Sequence, residues 1–368
     1  MFNTPFPHAF GIDISDLSIK VVQLRNTSFK RHKPNYELVT ARSIQLPYGL
    51  ILDGEVQEPE PVRKYITHLL KGAPNQKQAI SSPWAVASLP EKQSFLKIIT
   101  IPKNLADIID DDIRIAAKKH VPFEDASYYI DWQVISSIDG TEPTTTVMLA
   151  VTTKHVANTY TYLLESIGLG VVALEVESLA MARSLITAQK MYDGEARAIL
   201  DIGASKTTFV IYDNESVQFS RVLGYSGEIV TTALEQKLHI THEEADALKK
   251  SMGLEYTKKD KKVWPVLLHT TESLIADITR SINFYYSHFP QANKITYITL
   301  SGGGSTLKKL PDVLTARLSI PTGYGHAWKN LSTKKKKDSI QADGLNYAVA
   351  IGLALRAADN PFIEYDMI

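Results

Sequence analysis

The chain runs to 368 residues, with forty basic and forty acidic side chains, 44% hydrophobic residues and no cysteine. That length suits two or three domains, and the balanced charge removes any global attraction to nucleic acid or anionic lipid. The lack of cysteine excludes disulfides, thiolate metal sites and cysteine nucleophiles, and fits a reducing, cytoplasmic setting.

In chain order, Met1–Phe10 lacks the charged and apolar regions of a signal peptide, and no apolar run approaches the ~20 residues that cross a bilayer. Phe10–Leu24 reads as a hairpin, Tyr36–Ile44 as the next strand of a meander, and Pro47-Tyr48-Gly49 and Asp53-Gly54 as turns. Glu60–Lys71 carries a helical stripe of Val62, Tyr65, Ile66, Leu69 and Leu70, stopped by Gly72-Ala73-Pro74. Trp84–Leu89 is a buried strand closed by Pro90. From Glu91 the texture becomes a small α+β pattern: strand Phe95–Ile101, helix Asn104–His120, strands Tyr128–Ile135 and Thr146–Thr152, and helix His155–Ile167. Consecutive helical positions diverge around the axis, so Asp110-Asp111-Asp112 reads as a solvated face rather than a metal cluster.

After Gly168 and Gly170, strand Val171–Glu175 leads into helix Ser178–Lys190. Glu177 stands at the junction, either reaching into a cleft or serving as a plain carboxylate at a helix start. Ala198–Ile202 and Thr207–Tyr212 form a second hairpin around Gly203-Ala204-Ser205-Lys206. Gly203 allows backbone N–H groups to converge on an anion, Ser205, Thr207 and Thr208 offer hydroxyls, and Asp201 offers a carboxylate. Shifted by 188 positions, this stretch falls on the first: Asp201 on Asp13, Leu200 on Ile12, Val210 on Val22. An internal repeat of half the chain predicts two related halves, each offering one phosphate hairpin to a shared cleft.

Beyond it come strand Phe219–Tyr225 and helix Glu228–Leu238, then a capping box Thr241-His-Glu-Glu244 before helix Ala245–Met252. The box accounts for His242 without a metal. Thr270–Phe289 is a long amphipathic helix. Strand Lys294–Ser301 then runs into Gly302-Gly303-Gly304-Ser305 and a helix from Thr306 to Leu318, where bare backbone beside a helix start suits a nucleotide. Lys334–Lys337 reads as a solvated loop, with a weak lipid or partner contact as the alternative. The final helix Gly344–Ala357 has Ala348 and Gly352 on one face, suited to packing on Ala180 and Ala182 as a hinge.

Two Asp-bearing hairpins, a glutamate at a strand-to-helix junction, a glycine loop after a late strand and a small-residue final helix occur in an order that resembles the actin, DnaK-type chaperone and sugar kinase superfamily. The phosphate motifs are Gly11-Ile-Asp-Ile-Ser-Asp-Leu-Ser-Ile-Lys20 and Leu200-Asp-Ile-Gly-Ala-Ser-Lys-Thr207, and the adenosine motif is Leu300-Ser-Gly-Gly-Gly-Ser305. Three further stretches, Ala116-Ala-Lys-Lys-His-Val-Pro-Phe123, Asp131-Trp-Gln-Val134 and Ala348-Val-Ala-Ile-Gly-Leu-Ala-Leu-Arg356, make the chain similar to the PilM family of actin-like type IV pilus assembly proteins, relatives of FtsA.

The resemblance implies an α/β, actin-like (ribonuclease H-like) fold: duplicated domains around a nucleotide cleft, with an inserted small α+β subdomain. The expected divisions are 1–90 and 169–196 for the first domain, 91–168 for the insert, 197–340 for the second domain, and 341–368 for a final helix packing back on the first. It further implies ATP with Mg²⁺, the metal oriented through water by Asp13 and Asp201. Phosphates would be held by Ser15, Ser18, Lys20 and the turn Gly203, Ala204, Ser205, Lys206, Thr207. Adenosine would lie by Gly302, Gly303, Gly304 and Ser305, with Asp246 and Lys249 near the ribose. Glu177 falls where relatives keep a glutamate that orients the attacking water. Three residues depart from the family pattern: Ser15 for a glycine, Asp16 for a small neutral residue, and Ser178 for a proline.

The implied role is a cytoplasmic ATP-binding scaffold with at most weak hydrolysis, peripheral at the inner face of the membrane through partners. Those partners are the N-terminal segment of a PilN-like inner-membrane protein and other pilus inner-membrane components. Neither nucleic acid nor direct membrane insertion is implied, and a homo-oligomer is left open. The alternatives are an FtsA-like division protein, disfavoured by the short acidic tail Asn360–Ile368, and a small-molecule kinase, for which only Glu177 offers a base.

Overall fold

The first five positions of β1 (Phe10–Ser15) are buried, Phe10, Ile12 and Ile14 on one face and Gly11 and Asp13 on the other, whereas β2 (Ser18–Asn26) mixes buried with half-buried positions, so the first strand lies inside a sheet and the second nearer its rim. A computed structural model describes residues 4–28, 35–72, 79–121, 127–138, 142–188, 190–255, 261–331 and 344–359. The chain divides into two units, Met1–Ala180 with Leu353–Asp366, and Met181–Gly352.

In the first unit, β1 and β2 are followed by β3 (Tyr36–Gln45), the short strands β4 (Ile51–Leu52) and β5 (Glu55–Val56), helix α1 (Pro59–Lys71) and β6 (Trp84–Leu89). Next come β7 (Ser94–Ile101), α2 (Asp110–Ala117), β8 (Tyr128–Ile138) and β9 (Thr144–Thr153), and then α3 (Lys154–Glu165), β10 (Gly170–Val176) and α4 (Glu177–Leu185). The main sheet has the order β3-β2-β1-β6-β10, with β1, β6 and β10 parallel and β1, β2 and β3 antiparallel. Val62, Ile66 and Leu69 of α1 and Tyr160 and Leu163 of α3 share its core with Ile12, Ile14 and Val21. A separate antiparallel sheet, β7-β9-β8, buries Ile99, Val147, Leu149 and Val151 against Ile113 and Ala117 of α2.

The second unit contains β11 (Glu195–Ile202), β12 (Thr207–Asp213), β13 (Ser216–Leu223), α5 (Gly227–Leu238), α6 (His242–Ser251), α7 (Trp264–His288), β14 (Lys294–Ser301), α8 (Leu310–Leu318) and β15 (Thr322–Tyr324). Helix α9 (Ala348–Ala358) closes the described chain. The sheet order β13-β12-β11-β14-β15 repeats that of the first unit strand for strand. The repeat extends to single pairs. Asp13 faces Lys20 and Ile14 faces Ile19 in one hairpin, and Asp201 faces Thr208 and Ile202 faces Thr207 in the other, again 188 positions on. The fold is therefore the expected duplicated actin-like α/β architecture.

Several helices differ from expectation: α7 starts at Trp264 rather than Thr270, and α9 starts at Ala348, after a 3-10 turn Gly344–Tyr347, rather than at Gly344. Asn104–His120 is a 3-10 turn, Leu105–Asp107, followed by α2, which starts only at Asp110 because the Asp112 carboxylate accepts the Ile109 N–H at 3.1 Å. The three aspartates thus occupy a helix first turn, where negative charge meets the positive end of the dipole. Helix α4 stops at Leu185, and the Asn330 side chain donates to the carbonyls of Arg183 and Ile186 at 3.0 and 2.8 Å. The glycine run does not open a helix at Thr306: Gly303–Thr306 is one 3-10 turn, and α8 begins at Leu310 with Pro311 in its first turn. Ala73-Pro74, Pro122-Phe123, Lys334–Lys337 and Asn360–Ile368 lie outside the described residues.

Candidate functional site

The first hairpin is organised around one carboxylate. Asp13 is 3% exposed at the end of β1; its Oδ2 lies 3.3 Å from Lys20 Nζ, and its Oδ1 accepts from Ser15 Oγ at 3.2 Å and Ser88 Oγ at 3.3 Å. Lys20 also donates to Ser18 Oγ at 2.9 Å. Ser15, Ser18, Lys20 and Asp13 are thus brought together, as the sequence predicts. Ser88 was not anticipated; at the end of β6 it also accepts the Ile14 N–H at 3.1 Å. Glu177 is the first residue of α4 and 3% exposed. Beside it, the Ser178 N–H donates to the buried Glu91 carboxylate at 3.1 Å, so a glutamate just past β6 caps the helix that carries Glu177. Burial raises the Tyr160 hydroxyl well above the usual tyrosine range, helped by the charges of Glu177, Asp16 and Asp13.

The second hairpin encloses a tighter turn. Gly203 N–H donates to Lys206 O at 2.8 Å, and a Cβ at 203 would sit 2.9 Å from that same oxygen. The glycine therefore closes the turn, and its own N–H is engaged within it. The turn carbonyls dock on α5, Gly203 O accepting from Gly227 N at 3.0 Å and Ala204 O from Glu228 N at 2.9 Å. Thr207 Oγ1 is buried with no hydrogen-bond partner among the described residues, while Ser205 and Lys206 are half-buried. Lys249 Nζ donates to Gly227 O at 3.0 Å and Thr231 Oγ1 at 2.6 Å and pairs with Asp246 at 2.9 Å, so α6 meets the same turn through α5. Partial burial of Asp246 raises its pKa, but the bonds to Lys250 and Lys249 prevail and hold it below the usual carboxylate range.

Gly302 has φ 79°, and a Cβ there would come within 2.3 Å of Ile202 O; one at Gly304 would come within 2.4 Å of the Ile202 side chain. The glycine run therefore rests directly on the end of β11. Ser305 is fully buried and donates its hydroxyl to Gly302 O at 2.6 Å, which holds the turn. Exposed backbone is left at Gly303. Ser301, facing Asp201 across β11–β14, corresponds to Ser88. These two serines stand 213 residues apart rather than 188, because the connections preceding β6 and β14 differ in length, so the offset that aligns the hairpins hides them.

Among the described residues, no helix is long and apolar enough to cross a membrane, and no group of three or more His, Asp or Glu is placed to hold a metal ion.

Comparison with known proteins agrees with this construction. The solved PilM–PilN type IV pilus biogenesis complex contains a chain superposable with TM-score 0.78 at 25% identity, covering 96% of this chain and all of that one. The ethanolamine utilization protein EutJ from Carboxydothermus hydrogenoformans shares the fold at TM-score 0.52 and 14% identity, with 95% and 90% of the two chains covered. MreB5 of Spiroplasma citri bound to AMPPNP does so at 0.50 and 12%, with 94% and 95% covered. The family model for type IV pilus assembly protein PilM matches residues 11–358. The duplicated sheets and the motif order thus have one family home: this chain belongs to the PilM family of actin-like type IV pilus assembly proteins.

Proposed function

We propose that the protein binds ATP with Mg²⁺, with hydrolysis weak or absent, and that the bound nucleotide tunes its affinity for the N-terminal segment of a PilN-like inner-membrane protein. The observation that carries the nucleotide reading is the repeated hairpin, one carboxylate at the same ladder position in each unit, with Lys20 opposite Asp13 and Thr208 opposite Asp201. A solved relative of the same fold, MreB5, is bound to AMPPNP. Asp13 and Asp201 stand as single carboxylates, which suits contact with a hydrated Mg²⁺ better than an all-protein metal cage. Lys20 and the turn Gly203–Thr207 would hold phosphates, the Gly303–Gly304 backbone would pass adenosine, Asp246 and Lys249 would stand near the ribose, and Glu177 would orient water. Glu177 is itself buried at a helix start pinned by Glu91, which leaves it little room to move.

The partner reading rests on the PilM–PilN neighbour and on the second face of the small sheet. Leu96 faces Ala150 and Ile98 faces Met148 on the side of β7 and β9 opposite its core, and exposed Tyr129 of β8 lies at the edge, hydrogen-bonded to Asn158 of α3 at 3.2 Å. An extended apolar segment would lie along this face.

Calorimetric titration of Mg-ATP, followed by a PilN N-terminal peptide with and without nucleotide, tests both parts. Micromolar uptake of nucleotide and a peptide affinity that changes between the two conditions are expected. No uptake would end the nucleotide reading, and no peptide binding in either condition would end the partner reading.

A further inference from the structure

At the far end of β11 from the Gly203 turn lies a cluster that nucleotide binding does not use. Lys190 Nζ sits 4.7 Å from the centre of the Tyr192 ring, and the Arg197 guanidinium lies 5.0 Å from Tyr192 and 5.7 Å from Tyr297, held between two aromatic faces. Tyr297 in turn needs Gly323 beneath it, where a Cβ would meet its hydroxyl at 2.2 Å. Asn330, the neighbour of Lys329, ties this part of the chain to the segment before Lys190, its side chain binding Arg183 O, Ile186 O and, as acceptor, Ala188 N at 3.0 Å.

The charges do not cancel. Glu195 is engaged by Arg197 at 3.0 Å, Lys190 at 3.7 Å and the Thr296 hydroxyl at 2.8 Å, and Glu215 accepts from Tyr192 N at 3.2 Å and Tyr212 Oη at 3.3 Å. Arg197 Nε is buried without an acceptor among the described residues. Lys329 is half-buried, and the charges that act on it are cations: burial first, then Arg197 and Lys190, hold its pKa below the usual lysine value. Holding an ammonium beside a guanidinium, with no carboxylate of its own among the described residues, costs stability unless an anion joins them.

We propose that Lys190, Arg197 and Lys329 form a binding site for a phosphate-type oxyanion, either a free phosphate or the headgroup phosphate of an anionic lipid. The stacked guanidinium offers a fixed planar fork and the two lysines mobile point charges, a donor set matched to a tetrahedral anion at an exposed surface.

Hydrogen exchange on the full chain, with inorganic phosphate and with phosphatidylglycerol or phosphatidylcholine vesicles, tests it. Phosphate is expected to slow exchange in residues 186–197 and 326–331. Lys329→Met should abolish that protection and Lys329→Arg should retain it. Protection by phosphatidylglycerol vesicles alone assigns the site to a lipid headgroup, and protection by phosphate as well assigns it to the phosphate group itself. In the absence of phosphate, Lys329→Met should melt no lower than wild type, because it removes an uncompensated cation. Protection confined to the Asp13 or Gly203 hairpins, undiminished protection in Lys329→Met, or no protection by either phosphate or phosphatidylglycerol would overturn the proposal.

Discussion

The Asp16 carboxylate, at the tip of the first hairpin, accepts the backbone N–H of Gly54 at 3.0 Å, and Gly54 O accepts the Tyr160 hydroxyl at 2.9 Å. The departure from the family pattern is thereby explained: the acid fastens the β4–β5 turn. Gly54 could carry no side chain there, since a Cβ would meet Pro90 at 2.3 Å.

Asp16→Ala should cost about 1–2 kcal/mol in urea unfolding, the usual loss for a backbone donor left without its acceptor. Asp16→Asn keeps an acceptor and should cost under about 0.5 kcal/mol, with nucleotide affinity unchanged within about twofold. A roughly tenfold tighter affinity in Asp16→Asn would mean instead that the carboxylate opposes the phosphates.

Asp13 and Lys20 are unequal partners. Asp13→Ala leaves a lysine whose side chain is 14% exposed with only Ser18, and should cost about 3 kcal/mol. Lys20→Met leaves Asp13 with two hydroxyl donors and should cost about half as much. Equilibrium unfolding of both variants gives the ordering, and the reverse order would remove Asp13 from the centre of the network.

Gly302 and Gly303 should respond differently to a methyl group. Gly302→Ala places a Cβ against Ile202 O at positive φ and should destabilise by about 2–4 kcal/mol. Gly303→Ala meets only the exposed Asn346 side chain at 3.0 Å and should cost no more than about 1 kcal/mol. Thermal melts distinguish them, and equal losses would contradict the packing of this turn on β11.

Alkaline titration should unfold the protein cooperatively. Tyr225 is pushed up to about 12 by burial, with Thr271 opposing, and Tyr160 is raised well above 10. Groups whose folded pKa is raised stabilise fully below the unfolded value and lose that contribution as pH climbs through the folded one. Stability should therefore hold to about pH 9 and fall between about pH 10 and 12. Tyrosinate absorbance followed beside circular dichroism checks this; full ionisation of all seventeen tyrosines before unfolding would refute it.

Much of this was legible in the residues. The duplicated hairpin could be read because a ladder end needs its carboxylate, its turn and its β-branched partners in fixed register. Asp13, Lys20 and Asp201 lie at the matching ladder positions that the repeat predicts. What could not be read was tertiary. The end of α4 coincides with an amide supplied from Asn330, far along the chain. The purpose of Asp16 needed Gly54, and the burial of Glu91 needed the start of α4. The way Gly203 closes its turn, its N–H folded back on Lys206 O, likewise needed the structure.

The two hairpins keep one pairing pattern while differing in the four residues between the last common ladder pair, Ser15–Ser18 in one and Gly203–Lys206 in the other. These segments are consequently interchangeable cassettes. Grafting Gly-Ala-Ser-Lys into the first ladder would keep the β1–β2 pairs from Phe10–Gln23 to Ile14–Ile19 and release the β4–β5 turn from its acid. The ancestral symmetry of the molecule thus offers a direct route to separating what the turns recognise from what the sheets support.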